Sequence, residues 1–234
     1  LAEVRWHWDG VFGAVQVRTP ERAMDILLNT WLLYQTISCR LWARTGFYQA
    51  GGAFGFRDQL QDVLAMLISR RDWAREQILR AGARQFPEGD VQHWWHAPSG
   101  RGVRTRISDD LVWLPYTVLK YLEVTADVAI LEEAIPFLNG PSIPDDKEDA
   151  YFSPGESGER ASLFEHCARA LDRSLAVGAH GLPLMGSGDW NDGMNRVGHR
   201  GKGESVWLAW FLHATLWEFA KIAEARGEIQ RAQT

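Results

Sequence analysis

The chain has 234 residues and 46% hydrophobic content, enough for a large globular domain with a substantial core. Its 25 Lys and Arg against 30 Asp and Glu leave a formal charge of −5, which excludes nucleic acid and an anionic membrane surface as electrostatically driven partners. No apolar run approaches the roughly 20 residues that span a bilayer, and the opening LAEVRWHWDG lacks the charged-then-apolar layout of a signal peptide.

In chain order, residues 11–18 are the only candidate for a strand. Thr19 as N-cap, Pro20 at the first helical position and Glu21 in the first turn start a helix, or two nearly continuous ones, whose apolar residues Trp31, Leu32, Ile37 and Leu41 carry it toward Gly46. Leu60, Val63, Leu64 and Leu67 predict a helix over 58–68, and Trp73, Ile78 and Ala81 another after Ser69. Ser108 caps a helix carrying Leu111, Val112, Leu114, Val118 and Leu122, with Pro115 placed to kink it and a short helix following at 127–135. Leu163, Phe164, Cys167, Leu171 and Leu175 predict a further helix, and Trp207, Trp210, Phe211, Ala214 and Trp217 the last, from about Glu204 to Arg226. The expected fold class is therefore mainly helical.

Between these helices lie long Gly-rich polar connections at 46–57, 86–107, 136–160 and 178–203, with 141–159 reading as a surface excursion. Loops of that length in a compact domain usually carry function or are disordered. Cys39 and Cys167 are far apart in apolar helical patterns, which argues against a disulfide framework or a thiolate metal site and fits a reducing compartment. The 12 Trp residues are expected mostly in the core, although an indole face also suits stacking on sugar rings.

Three of the connections hold candidate chemistry. In GSGDWNDGMN, residues 186–195, the glycines allow a tight turn that presents Trp190, Asn191 and Asp192. A carboxylic acid placed there can serve as a general acid; equally, Asp189 and Asp192 can make Asx-turns in a surface loop. In GGAFGFRDQLQD, residues 51–62, Arg57 and Asp58 stand at the mouth of a helix, where Asp58 can also be a plain cap. In GRGVRTRISDDLVWLP, residues 100–115, Arg101, Arg104 and Arg106 can hold an anion or form a solvated face, and Asp109 and Asp110 can cap a helix or hold sugar hydroxyls. His93 and His96 in HWWH lack a third ligand at suitable spacing for a metal.

Taken in order, ARTGFYQAGGAFGFRDQLQD (43–62), EGDVQHWWHAPSGRGVRTRISDDLVWLPYTVLKY (88–121) and LFEHCARALDRSLAVGAHGLPLMGSGDWNDGMNRVGHRGKGESVWLAWFLH (163–213) resemble glycoside hydrolase family 94, the inverting glycoside phosphorylases. Within it they are most similar to the phosphorylase-like region of bacterial cyclic β-1,2-glucan synthases. The resemblance runs from about residue 20 onward. It implies an all-α fold, part of an (α/α)6 barrel with long functional loops, and a single incomplete catalytic domain over 1–234 with 1–19 as a lead-in. A barrel of that kind has more helices than are predicted here, so the resemblance also implies a fragment of a larger polypeptide, inactive in isolation.

The implied reaction is phosphorolysis of β-1,2-glucan to α-glucose 1-phosphate, controlling chain length in a cyclic β-1,2-glucan synthase. Asp192 would protonate the leaving glycosidic oxygen. Trp190 and Asp58 would line the donor-sugar subsite, with Arg57 and Asp110 in the same substrate-binding set, and Arg44 would contact phosphate. No cofactor or metal is implied; inorganic phosphate is the co-substrate. The partners are the glucan, phosphate and the rest of the parent polypeptide, which the resemblance places at the cytoplasmic side of the bacterial inner membrane. Gly52 stands where cellobiose phosphorylases carry an Arg, which argues for a different substrate from cellobiose. An inverting hydrolase needs an acid and a base that hold a water between them, whereas phosphate is already a nucleophilic anion and leaves one catalytic carboxylate sufficient. The competing readings are an inverting β-glucan hydrolase with Asp58 or Asp110 as base, and a non-catalytic glucan-binding module.

Overall fold

The computed structural model describes residues 1–42 and 51–234. Helix α1 (Ala2–Phe12) turns Val11 into the core. The stretch 11–18 is not a strand: it is the end of α1, a turn and an extended link. The Val17 backbone is satisfied instead by a side-chain amide, donating to Asn29 Oδ1 and accepting from Asn29 Nδ2, both at 2.8 Å.

Helix α2 (Arg22–Ile26) begins later than the Thr19-Pro20 signal suggests. Glu21 is the N-cap, accepting from the Ala23 N–H at 3.0 Å, while Thr19 is drawn to Asp25 Oδ1 through both its N–H and its hydroxyl. The helix continues through a wide turn at Leu27–Trp31, α3 (Leu32–Gln35) and a second wide turn at Thr36–Leu41. Strand β1 (Ala53–Gly55) runs directly into α4 (Phe56–Leu64), followed by α5 (Arg71–Gly82). Strands β2 (Gln92–His96) and β3 (Gly102–Thr105) lead to α6 (Asp110–Thr125), which continues past Pro115 and ends at a left-handed Ala126 with φ of 54°. Asp109, not Ser108, is its N-cap residue, and the Ser108 hydroxyl donates to the Gly188 carbonyl.

The helix expected at 127–135 is a single tight turn, Val128–Glu132, giving way to β4 (Ala134–Asn139). Then come β5 (Asp149–Phe152), β6 (Gly155–Ser162), α7 (Leu163–Ser174), α8 (Asn195–Gly198), α9 (Val206–Ala225) and α10 (Ile229–Gln233). Ser162 caps α7 and Ser205 caps α9 through their hydroxyls.

The all-α expectation is therefore overturned. Among the described residues, β1-β2-β3-β5 form a four-stranded antiparallel sheet and β4-β6 a two-stranded one. Every strand lies wholly or partly in a segment that reads as loop, for a physical reason. GESGERAS in β6 is mostly exposed and carries no apolar alternation; it is a strand because β4 offers it a partner. QHWWH in β2 is broken by a register shift at His93, which disrupts any period of two.

The core is helical. Helix α6 packs against α4, α5, α7 and α9, joining Val112, Leu114, Val118 and Tyr121 to residues such as Leu60, Ile78, Leu163 and Leu208. The tryptophans depart from expectation: Trp95 and Trp113 are buried, whereas seven of the 12, including Trp190, Trp207, Trp210 and Trp217, are exposed. Cys167 is buried, Cys39 is partly so, and both are free thiols. Among the described residues, no helix is long and apolar enough to cross a membrane.

Candidate functional site

Three chain segments converge where α4 and α6 begin. Residues 106–108 lie against the 186–188 turn: the Ser187 N–H donates to the Arg106 carbonyl at 3.0 Å and the Ser108 N–H to the Gly188 carbonyl at 2.9 Å. Gly186 makes this possible. It has φ of +64°, and a Cβ there would fall on the Arg106 carbonyl oxygen. The third segment is the first turn of α4, which supplies Arg57.

Arg57 is 5% exposed and binds across the convergence. One terminal nitrogen donates to Asp109 Oδ1 at 2.9 Å and to the Asp189 carbonyl at 2.8 Å; the other donates to Asp192 Oδ1. Asp109 Oδ2 accepts from the Trp113 indole N–H, one turn along α6, at 2.9 Å. Beside it, Asp110 Oδ2 meets His93 Nδ1 at 2.7 Å, and Asp110 Oδ1 is buried with no hydrogen-bond partner among the described residues.

The electrostatics follow from burial. Burial pushes the Asp109 carboxyl above the ordinary carboxylate range and the neighbouring Asp110 charge adds to this, against the pull of Arg57 and Trp113. Burial works against the Arg57 cation, but Asp109, Asp110 and Asp192 together hold its pKa raised. Burial would likewise discharge His93, yet the charge and hydrogen bond of Asp110 outweigh it and raise its pKa.

The 189–192 turn is built from below. Asp189, 1% exposed, accepts from the Asn191 backbone N–H at 2.8 Å and side-chain amide at 3.0 Å, closing an Asx-turn. Its other oxygen accepts from Ser205 Oγ at 2.6 Å, and that same Ser205 oxygen accepts from the Leu208 N–H to cap α9. The result is a turn with a rigid base and two side chains facing out: Trp190 is 49% exposed and the Asp192 side chain 73%. Asn195 donates to Glu148 at 2.7 Å, closing one wall of a cavity of about 110 Å³ lined by Asp192, Thr105, Asp149 and the 187–188 backbone.

The structure thus brings Asp192, Arg57 and Asp110 into one network, with Trp190 on the same turn. Asp58 sits in the first turn of α4 and folds its carboxylate back against Gly55. Arg44 lies outside the described residues. The three arginines of 100–110 do not converge on an anion. Arg104 is buried in a fork on Asp90 and a further bond to Glu88, Arg106 donates to the carbonyls of Ile143, Pro144 and Lys147, and Arg101 lies over the Tyr151 ring. Two members of the network had only weak sequence signals: Asp109 as the counter-ion of Arg57, hinted at by the Asp109/Trp113 spacing of one helical turn, and His93, marked only by the HWWH run. Among the described residues, no group of three or more His, Cys, Asp or Glu is arranged to hold a metal ion.

Comparison with known proteins gives the network its context. The chain is 54% identical, over 99% of its length, to the cyclic beta-(1,2)-glucan synthase NdvB of Rhizobium meliloti (strain 1021), of which it covers 8%. It is 33% identical to the solabiose phosphorylase of Paenibacillus borealis over 89% of the chain and 24% of that protein. It is also 28% identical to the 1,2-beta-oligoglucan phosphorylase of Listeria innocua over 74% of the chain and 16% of that protein. The chain therefore spans only a small part of each relative's length. The family model described as Glycosyl hydrolase 94 superfamily, catalytic domain, matches residues 7–234, and the chain belongs to that superfamily.

Proposed function

We propose that this chain supplies the proton-donating part of a glucan phosphorylase site, which cleaves β-1,2-glucan with inorganic phosphate and, in a cyclic β-1,2-glucan synthase, limits glucan length. The observation that carries the reading is the contrast among the carboxylates. Asp109 and Asp110 are buried and committed to Arg57, Trp113 and His93, while Asp192 is held at an exposed tip by the same arginine.

The chemistry follows from that geometry. Asp192 accepts from Arg57 on one oxygen, which leaves the second to carry a proton to the glycosidic oxygen as the C1–O bond breaks. A phosphate oxygen forms the new bond to C1 from the opposite face, inverting β to α, so the products are α-glucose 1-phosphate and a glucan shortened by one unit. Trp190, exposed beside Asp192, offers a flat apolar face to the sugar at the cleavage point. Asp58 is assigned to the donor sugar and Arg44 to phosphate on the strength of the family resemblance. The NdvB and 1,2-beta-oligoglucan phosphorylase similarities support the β-1,2 linkage.

The hydrolase reading is weakened at Asp110, which is 2% exposed and has one oxygen bonded to His93, and so is shut off from the bulk water a hydrolytic base draws on. The test is to incubate the intact protein with β-1,2-glucan with and without phosphate. Glucose 1-phosphate should form only with phosphate; reducing sugar released at the same rate in its absence would overturn the reading.

A further inference from the structure

The four-stranded sheet has two unlike faces. Trp95 and Phe152, both opposite Gly102, turn toward the packed interior, where Phe152 meets Phe86 at 6.1 Å. Trp94 and Tyr151 are both register partners of Val103, so these three side chains stand in one row on the other face. Thr105 and Asp149 pair with each other two residues further along and share that face. Thr105 and Asp149 also line the cavity that reaches Asp192, so the aromatic row and the candidate site are parts of one continuous surface.

The row is built to keep its rings in place and in view. The Trp94 and Tyr151 centroids are 5.5 Å apart, tilted at 42°; His96 stands edge-on to Trp94 at 5.4 Å, and the Arg101 guanidinium lies 4.7 Å from the Tyr151 centroid. Tyr151 nevertheless remains 47% exposed. Covering Val103 needs apolar bulk and nothing more. An exposed Tyr151 ring beside a half-buried Trp94, braced by a cation and rimmed by donors, is the chemistry that packs on the C–H face of a pyranose while bonding its hydroxyls.

We infer that Trp94 and Tyr151 form a stacking platform for a sugar unit remote from the cleavage point, on a β-glucan chain whose reacting end lies at Asp192. The inference rests on the glucan reading of the site. Tyr151 lies about 7 Å along its strand beyond Asp149, which itself lines the cavity shared with Asp192, so the platform serves a sugar beyond the one at the cleavage point and an oligosaccharide reaches it. It favours chains over short sugars.

The test compares Trp94→Leu and Tyr151→Leu, which keep apolar cover over Val103 but remove the flat faces, with Trp94→Phe and Tyr151→Phe, which retain a ring. Affinity of the intact protein for β-1,2-linked gluco-oligosaccharides of increasing length is measured by calorimetry without phosphate. In the Leu variants the Kd for long oligosaccharides should rise about 2- to 12-fold, the disaccharide Kd should be unchanged, and the Phe variants should stay near wild type. Equal weakening at every length, or no weakening at any length, would overturn the platform while leaving the glucan reading intact. A wild-type protein that binds no glucan of any length would overturn both.

Discussion

Arg57 and Asp109 lie 52 residues apart in sequence and meet at 2.9 Å in a pair almost wholly shielded from water. Breaking such a pair from one side leaves an uncompensated buried charge, typically at a cost of about 3–5 kcal/mol. Arg57→Met should therefore lose stability on that scale, and it also frees the Asp189 carbonyl and Asp192. Asp109→Asn should lose less, since burial already opposes the Asp109 charge. The double variant should recover part of the Arg57→Met loss. Denaturant unfolding of the three variants checks this through the double-mutant cycle; strict additivity would contradict the coupling.

Two glycines of the Asp192 turn separate strain from obstruction. Gly193 has φ of +82° with open space where a Cβ would stand, so Gly193→Ala should cost only the left-handed penalty of about 1–2 kcal/mol. At Gly186 the same methyl would strike the Arg106 carbonyl that anchors the turn. Gly186→Ala should lose more stability and, by displacing Asp192, most of the turnover. Thermal unfolding and glucose 1-phosphate assays on both variants give the comparison.

Ser205 joins helix α9 to the turn, accepting from Leu208 N–H while donating to Asp189. Ser205→Ala removes the cap, for about 1–2 kcal/mol, and strips a partner from a buried carboxylate. Turnover should fall with little change in KM, because Asp189 sets where Asp192 stands and does not itself hold sugar. Ser205→Thr should restore both.

His166 predicts an acid limb of stability. It is fully buried, stacked on Phe137 at 3.9 Å, and burial lowers its pKa to about 4. The unfolded chain binds this proton near the reference value of about 6.5. Its contribution to stability is thus complete above about pH 6.5 and is lost as the pH falls toward 4, by about 3 kcal/mol in all. Unfolding free energies of wild type and His166→Gln between pH 7 and 4 should converge toward acid; parallel curves would contradict the assignment.

The parts of this structure that are legible in the sequence are those governed by local pattern. Apolar spacing predicts the helices that build the core, because Leu60 and Val63, or Leu163 and Cys167, recur on one helical face. The strands are set by partners instead: β6 has almost no apolar residue and exists because β4 lies beside it. The site divides the same way. Trp190 and Asp192 announce themselves between glycines. The Arg57–Asp109 pair depends on how α4 and α6 pack, and Arg104, readable as an anion ligand, is taken by Asp90 only once the hairpin of β2 and β3 forms.

The central claim is that Asp192 donates the proton in a phosphorolytic cleavage, and the most direct measurement is glucose 1-phosphate release from β-1,2-glucan by the intact protein carrying Asp192→Asn. With saturating phosphate, turnover should fall by about 10²- to 10⁴-fold, the usual worth of a general acid, while glucan affinity stays near wild type. Turnover that survives the substitution within a fewfold would contradict the account.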